Sequence, residues 1–500
     1  MPTRRRLLDF IWLSRGPSVL HIFRGSTRLN YDLPPASRAI RNFDPTLYHA
    51  QTVWPSYPLP RTMLSPSTSY IVLSLPNAKQ LEAGDFDLDE LSKKLTEALV
   101  DESQRNEILR LTGDIAVLVT ECLDKVMSSE NFRANSDIQT RSNVLYVFSR
   151  LSRGCQYLPH SYWIDPRTIT LPSEPYTSGT CAGVYRGRQN DEPVAVKVLM
   201  IPNQESMVKL KKRFHKEAIL WKHVSCPYIL KFNGAFYHND MPAIVMPWVP
   251  HGNIIEYLEK HTGVDRLHLL LGVVKGVRYL HNCNIAHGDI KPPNILISDS
   301  TPPRAMLADF GFTRVTTISA KMSSEEGPMA FIAPELLSTR LGLDRAVPSK
   351  EADIFALAMT IYQVLTGKCP FSQMREARII GAVISGERPT KPGNAKQIGM
   401  TNAVWDLLRE CWRDDRTKRP TISVILRRFC DTINEAKTTD SRIEEAGLRL
   451  DFTDNHGSFR SETTLVRCEL GDVAPESPQS AECHCFPPWK RAKRIFRFTN

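Results

Sequence analysis

The stretch His287-Gly288-Asp289-Ile290-Lys291-Pro292-Pro293-Asn294 decides how this chain is read. It gathers a carboxylate, an ammonium and a carboxamide on one short loop. Behind it, Ile295-Leu296-Ile297 reads as a β-strand, and Asp309-Phe310-Gly311 follows. Asn294 and Asp309 offer the amide and carboxylate oxygens that hard divalent cations prefer. Upstream, Val194-Ala195-Val196-Lys197-Val198-Leu199 sets a lysine inside an apolar strand. An unpaired ammonium there costs several kcal/mol, so Lys197 requires an anionic partner. Downstream lie Ala333-Pro334-Glu335 and Lys418-Arg419-Pro420.

Taken in order from Tyr176 to Arg419, these motifs resemble those of eukaryotic protein kinases over residues 163–433. The nearest likeness is to the tyrosine kinase-like group, whose fungal members share the His-Gly-Asp loop. The resemblance implies an α+β, two-lobed fold. A small antiparallel sheet with one main helix would pack on a larger, mostly helical lobe, with ATP and Mg2+ in the cleft between them. It implies that Glu217, within the helical stretch 209–223, holds Lys197 toward the α and β phosphates. Asp289 would be the catalytic base that accepts the substrate hydroxyl proton, and Lys291 would neutralise the moving γ-phosphoryl group. Asn294 and Asp309 would hold Mg2+. Met246 would be the gatekeeper, while the Pro247 carbonyl and Val249 amide bond the adenine edge. Val184 and Ala195 above and Leu296 below would sandwich the ring. Phe310 and His287 would pack the metal loop on the catalytic loop, Glu335 would pair with Arg419, and Asp353 would anchor the catalytic loop. These large-lobe marks favour protein substrates. Lys291 resembles serine/threonine kinases, whereas Pro328 resembles tyrosine kinases, so serine/threonine transfer is expected with dual specificity open.

The sequence departs from the family pattern at the glycine-rich loop. Its three glycine positions are Thr177, Gly179 and Ala182, so only the middle one is kept. Lost glycines restrict close approach of backbone to phosphates, which predicts weaker nucleotide binding. Gly288 replaces the arginine that clamps a phosphorylated activation loop in many kinases. Activity should therefore depend little on the loop hydroxyls Thr313, Thr316, Thr317, Ser319, Ser323 and Ser324. The rival reading is a pseudokinase or scaffold that binds nucleotide weakly and acts through protein interactions.

At 500 residues the chain exceeds a single core, with 42% hydrophobic and 24% charged residues typical of a soluble protein. The +10 net charge gathers at the two ends rather than on one patterned face, which argues against nucleic-acid binding. Eleven scattered cysteines suggest a reducing cytoplasmic or nuclear setting.

Residues 1–77, with Pro34, Pro35, Pro55, Pro58, Pro60 and Pro66 interrupting any helix, read as a largely disordered basic leader. Arg4 to Arg6 before Leu7 to Leu13 fit such a leader better than a transit peptide. Residues 78–155 read as a helical extension. Ile108, Leu111, Ile115, Leu118, Val119, Cys122 and Val126 fall on one face of a helix of about 20 residues, and Asn143 to Leu151 suggest another. The 85–151 helices could bind a regulatory protein or pack on the kinase-like region. Residues 434–500 form a polar tail ending in a basic, aromatic-rich run from Trp489 to Arg497, with Cys483 and Cys485 nearby. A solvated tail is the simplest reading; contact with an anionic membrane surface and a nuclear address are the alternatives.

Overall fold

The computed structural model describes residues 64–445 apart from 180–181, 202–205, 312, 316–328 and 341–346. Most of the expected leader, the C-terminal basic run with Cys483 and Cys485, Pro328, and the hydroxyls of Thr316, Thr317, Ser319, Ser323 and Ser324 lie outside the described residues.

Seven helices form the extension: α1 (Pro66–Leu73), α2 (Ala78–Ala83), α3 (Leu88–Val100), α4 (Glu102–Ile108), α5 (Gly113–Ser128), α6 (Glu130–Asn135) and α7 (Ile138–Cys155). Two expectations need correction here. Pro66 begins a helix instead of interrupting one, because the first helical position has no N–H to bond and Ser65 caps the turn. The single amphipathic helix expected around residues 108–126 is two. Gly113, at φ +62°, takes the backbone out of the helical basin where α5 begins. The apolar stripe continues across that break because hydrophobic period reports which side chains face a core, not whether the backbone between them is continuous. Helix α7 outruns the expected 143–151 at both ends, with Asp137 capping it through the Thr140 amide at 2.8 Å. Its buried face includes Ser142, Ser149 and Ser152, which periodicity counts as polar.

The smaller lobe is an antiparallel sheet of β1 (Ile169–Thr170), β2 (Thr177–Ser178), β3 (Ala182–Gln189), β4 (Glu192–Leu199), β5 (Gly234–His238) and β6 (Met241–Pro247), with α8 (Met207–Lys222) packed on it. The strand order is β1-β3-β4-β6-β5, with β2 on β3. Asn190-Asp191 and Asn239-Asp240 close the β3–β4 and β5–β6 hairpins with positive φ at both residues. Two-residue turns of this hand match the twist of the strands and favour Asn and Asp. They hold the register that sets Val184 opposite Lys197 and Ala195 opposite Met246.

The larger lobe contains α9 (Ile254–Lys260), α10 (Arg266–Asn282), β7 (Ile285–Ala286), β8 (Ile295–Ile297), β9 (Ala305–Leu307), β10 (Arg314–Val315), α11 (Pro334–Arg340), α12 (Lys350–Thr366), α13 (Glu376–Ile384), α14 (Asn402–Cys411) and α15 (Ile422–Glu445). Helix α12 is buried over most of its surface and forms the centre of this lobe. Among the described residues no helix is long and apolar enough to cross a membrane. The extension packs on the smaller lobe, α7 lying along α8. Phe148 of α7 is fully buried there, which contributes roughly 2 kcal/mol by removing its ring from water.

Candidate active site

Strand β4 presents Lys197 and helix α8 presents Glu217, and the two close a 2.8 Å ion pair. A second carboxylate completes the cluster, with Asp309 Oδ1 2.7 Å from the same Lys197 Nζ. Glu217 is only 1% exposed, whereas Asp309 keeps 35% of its side-chain surface open to the cleft. Burial works against a charged Lys197, but Asp309 and Glu217 outweigh it and hold the ammonium above its ordinary range. Burial likewise opposes ionisation of Asp309, yet Lys197, the Gly311 amide and Lys291 bring it down to about 2. Burial raises Glu217 in spite of its lysine partner.

Asp309 sits at φ +66°, a backbone conformation costing a non-glycine residue of order 1–3 kcal/mol and typical of functional sites. Gly311 makes room for the cluster, since a Cβ there would lie 3.3 Å from Asp309 Oδ1 and 3.5 Å from Glu217 Oε2. The intervening Phe310 stacks on Trp221 of α8 at 5.2 Å and lies 5.3 Å from the His287 ring.

The loop between β7 and β8 builds the second cluster. Asp289 Oδ2 lies 2.8 Å from Lys291 Nζ and accepts from Asn294 Nδ2 at 2.8 Å. Among the described residues, Oδ1 of Asp289 takes no protein donor, so it is the oxygen available to an incoming group. Asn294 also donates to the Asp289 carbonyl at 2.9 Å, which commits its amide nitrogen and leaves its oxygen for a cation. The Ala308 amide donates to the Asn294 carbonyl at 2.9 Å and ties this loop to the one carrying Asp309.

The frame beneath is rigid. Asp353 of α12, 1% exposed, accepts from the His287 and Gly288 amides at 2.8 Å each and meets His281 Nε2 at 2.9 Å. Gly288 has φ +82°, so a glycine at this position also relieves a left-handed backbone. Arg419 grips Glu335 through two parallel 2.8 Å bonds and donates to the Glu351 and Arg413 carbonyls at 2.9 Å each. Thr313 corrects one expectation: it is no free loop hydroxyl but is buried and donates to the His287 carbonyl at 3.2 Å.

The remaining expected nucleotide contacts lie around this cleft. Met246 is buried on β6, with Pro247 at its end and Val249 just beyond. Val184 and Ala195 stand on β3 and β4, and Leu296 on β8. Thr177 pairs with Val184, and the Gly179 amide donates to the Ala182 carbonyl at 2.9 Å, so the glycine-poor loop still forms a hairpin. Sequence reasoning missed His281 and Trp221; of its two readings of the extension, the structure shows packing on the smaller lobe, through α8. A helical tryptophan or histidine carries no signal that distinguishes such roles from ordinary packing.

The two lobes, the paired ion clusters and the Asp353 anchor define a protein kinase architecture. A protein kinase domain model matches residues 177–429, just over half of the chain, and the chain belongs to that family. It is 30% identical to the serine/threonine-protein kinase STY46 of Arabidopsis thaliana over 52% of this chain and 43% of that protein. It is 29% identical to STY17 of the same plant, covering 60% and 49%, and 26% identical to the serine/threonine/tyrosine-protein kinase HT1, covering 52% and 66%. The chain thus spans between 43% and 66% of the length of these curated relatives. Their company accords with the tyrosine kinase-like resemblance.

Proposed function

We propose that this chain is an ATP-dependent protein kinase that phosphorylates serine and threonine hydroxyls. The observation that carries this reading is the posture of Asp289, with Oδ2 fixed by Lys291 and Asn294 and Oδ1 left for a substrate hydroxyl. In that posture Asp289 orients the hydroxyl for in-line attack and takes its proton, a task in which geometry matters more than basicity because the transition state is loose. Lys291 neutralises charge on the transferred group. Lys197, steered by Glu217, exchanges part of its contact with Asp309 for the α and β phosphates.

The donor set fits magnesium: one carboxylate and one amide oxygen, both hard. Asn294 and Asp309 would hold the ion, which when bound would supply positive charge to offset that of the phosphates. Serine/threonine preference follows from Lys291 beside Asp289, and the names of the relatives support it. Among the described residues, Cys122, Cys155, Cys283, Cys369, Cys411 and Cys430 are free thiols, which fits work in a reducing compartment, cytosol or nucleus.

The deciding experiment follows radiolabel from γ-labelled ATP into the chain itself and into a generic protein substrate. Wild type should incorporate label on serine and threonine, and Asp289→Ala should lose incorporation while still binding Mg-ATP. Equal, negligible labelling of both proteins would instead establish the scaffold reading.

A further inference from the structure

Helix α8 carries Glu217, and the face of α8 turned away from the cleft is covered by the extension. His215 Nδ1 donates to the Ser152 carbonyl of α7 at 3.2 Å, and Phe148 of α7 tilts against His223 at 5.7 Å. A buried polar cluster then grips the C-terminal end of α8. Asp124 of α5 is 2% exposed, lies 3.2 Å from Lys222 Nζ, accepts from Ser161 Oγ at 2.5 Å and stands 3.6 Å from His223 Nε2. The Tyr162 hydroxyl meets His223 Nε2 at 2.9 Å, and its ring lies 3.9 Å beneath Lys222 Nζ. Lys222 also bonds Ser161. Burial resists a charged Asp124, but His223, Lys222 and Ser161 bring it down to about 2, so it is a fixed anion.

The residue before this grip is Trp221, whose ring stacks on Phe310 of the metal loop. The end of α8 is therefore held from outside by the extension and faces the metal loop on its inner side. Helix α7 also touches β10, and Ser142 Oγ donates to the Cys283 carbonyl at 3.0 Å, just before the catalytic strand pair. We propose that Asp124 is a positioning residue for Glu217, anchoring α8 through Lys222 and His223 so that the Lys197–Glu217 pair forms without a partner protein. The lever is short: Glu217 lies five residues, about 7.5 Å of helix, from Lys222. A buried charge pair selects one arrangement, and a displacement of about 1 Å at a phosphate-positioning group can cost roughly 100-fold in rate.

This inference rests on the kinase reading for what Glu217 does, so its test uses one measurement that needs catalysis and one that does not. Four full-length chains are compared: wild type, Asp124→Asn, Glu217→Gln and the double variant. Asp124→Asn should lower kcat/KM for ATP about tenfold but should lower it less than about twofold when Glu217→Gln is already present. Amide exchange over Met207–Lys222 should accelerate in Asp124→Asn while exchange over Lys350–Thr366 stays unchanged. Effects that multiply independently, or an α8 that exchanges as in wild type, would overturn the proposal. If wild type transfers no phosphate, the proposed function fails on its own account. The Mg-ATP dissociation constants of the same four chains then decide the coupling by the same criterion. If Asp124→Asn does not fold, Ser161→Ala, which removes one bond to Asp124 and one to Lys222 while keeping the Asp124–Lys222 pair, takes its place under the same criteria.

Discussion

His215 offers the most quantitative test of how the extension and the smaller lobe are joined. Its imidazole is 1% exposed, on α8 two residues before Glu217, and its Nδ1–H is given to the Ser152 carbonyl. Burial lowers its pKa to about 4 from the ordinary 6.5, the bond to Ser152 opposing and nearby Lys211 assisting. The unfolded chain therefore takes up a proton at this site below about pH 6.5, whereas the folded chain does not until about pH 4. A group that is harder to protonate when folded penalises the native state as pH falls through that window, so stability rises with pH across it. Relative to pH 7, the penalty is about 2 kcal/mol at pH 5 and about 3 kcal/mol at pH 4, at about 1.36 kcal/mol per pKa unit. Carboxylates titrate in the same range, so the informative quantity is a difference between two chains. Urea midpoints of the smaller lobe, followed by tryptophan fluorescence at constant m, are compared for wild type and His215→Asn, which keeps a donor near Nδ1 but does not titrate. The variant starts less stable at pH 7 because it underfills the site, and the gap should narrow toward pH 4. Parallel curves for the two proteins between pH 7 and pH 4 would refute the reasoning.

Lys197→Met should abolish tight Mg-ATP binding and destabilise the smaller lobe by about 3–5 kcal/mol, because Glu217 and Asp309 lose their shared cation; calorimetry of both quantities checks it. Arg419→Met should cost about 3–5 kcal/mol by stranding Glu335, and adding Glu335→Leu should recover part of that in denaturant melts. Ala182→Gly should tighten Mg-ATP binding if the missing glycine is what weakens it, and an unchanged dissociation constant would remove that explanation. Simultaneous alanines at Thr316, Thr317, Ser319, Ser323 and Ser324 should leave the phosphorylation rate within about twofold of wild type, given that no arginine stands at Gly288. Thr313→Val should instead lower the rate, through the catalytic loop whose His287 carbonyl it bonds.

Much of the site was legible because its chemistry demands particular residue types at close sequence spacing. Asp289, Lys291 and Asn294 share one loop, and a lysine in the apolar strand around Val196 demands an anionic partner wherever the chain supplies it. Turn chemistry went unread: the Asn-Asp pairs at 190–191 and 239–240 suit the left-handed backbone that the hairpins show. The same local logic misread Pro66, whose effect depends on whether it falls first in a helix or inside one. It also merged α4 and α5, because one apolar stripe runs across both.

Only tertiary structure could decide that Lys197 is shared between Glu217 and Asp309, that Thr313 is buried, and that α8 is held from behind by Asp124 and Ser152. Residue type and periodicity are properties of a neighbourhood along the chain. Partnership across tens of residues depends on how elements dock, and Asp124 or His215 looks the same in sequence whether it faces water or a buried ammonium or carbonyl.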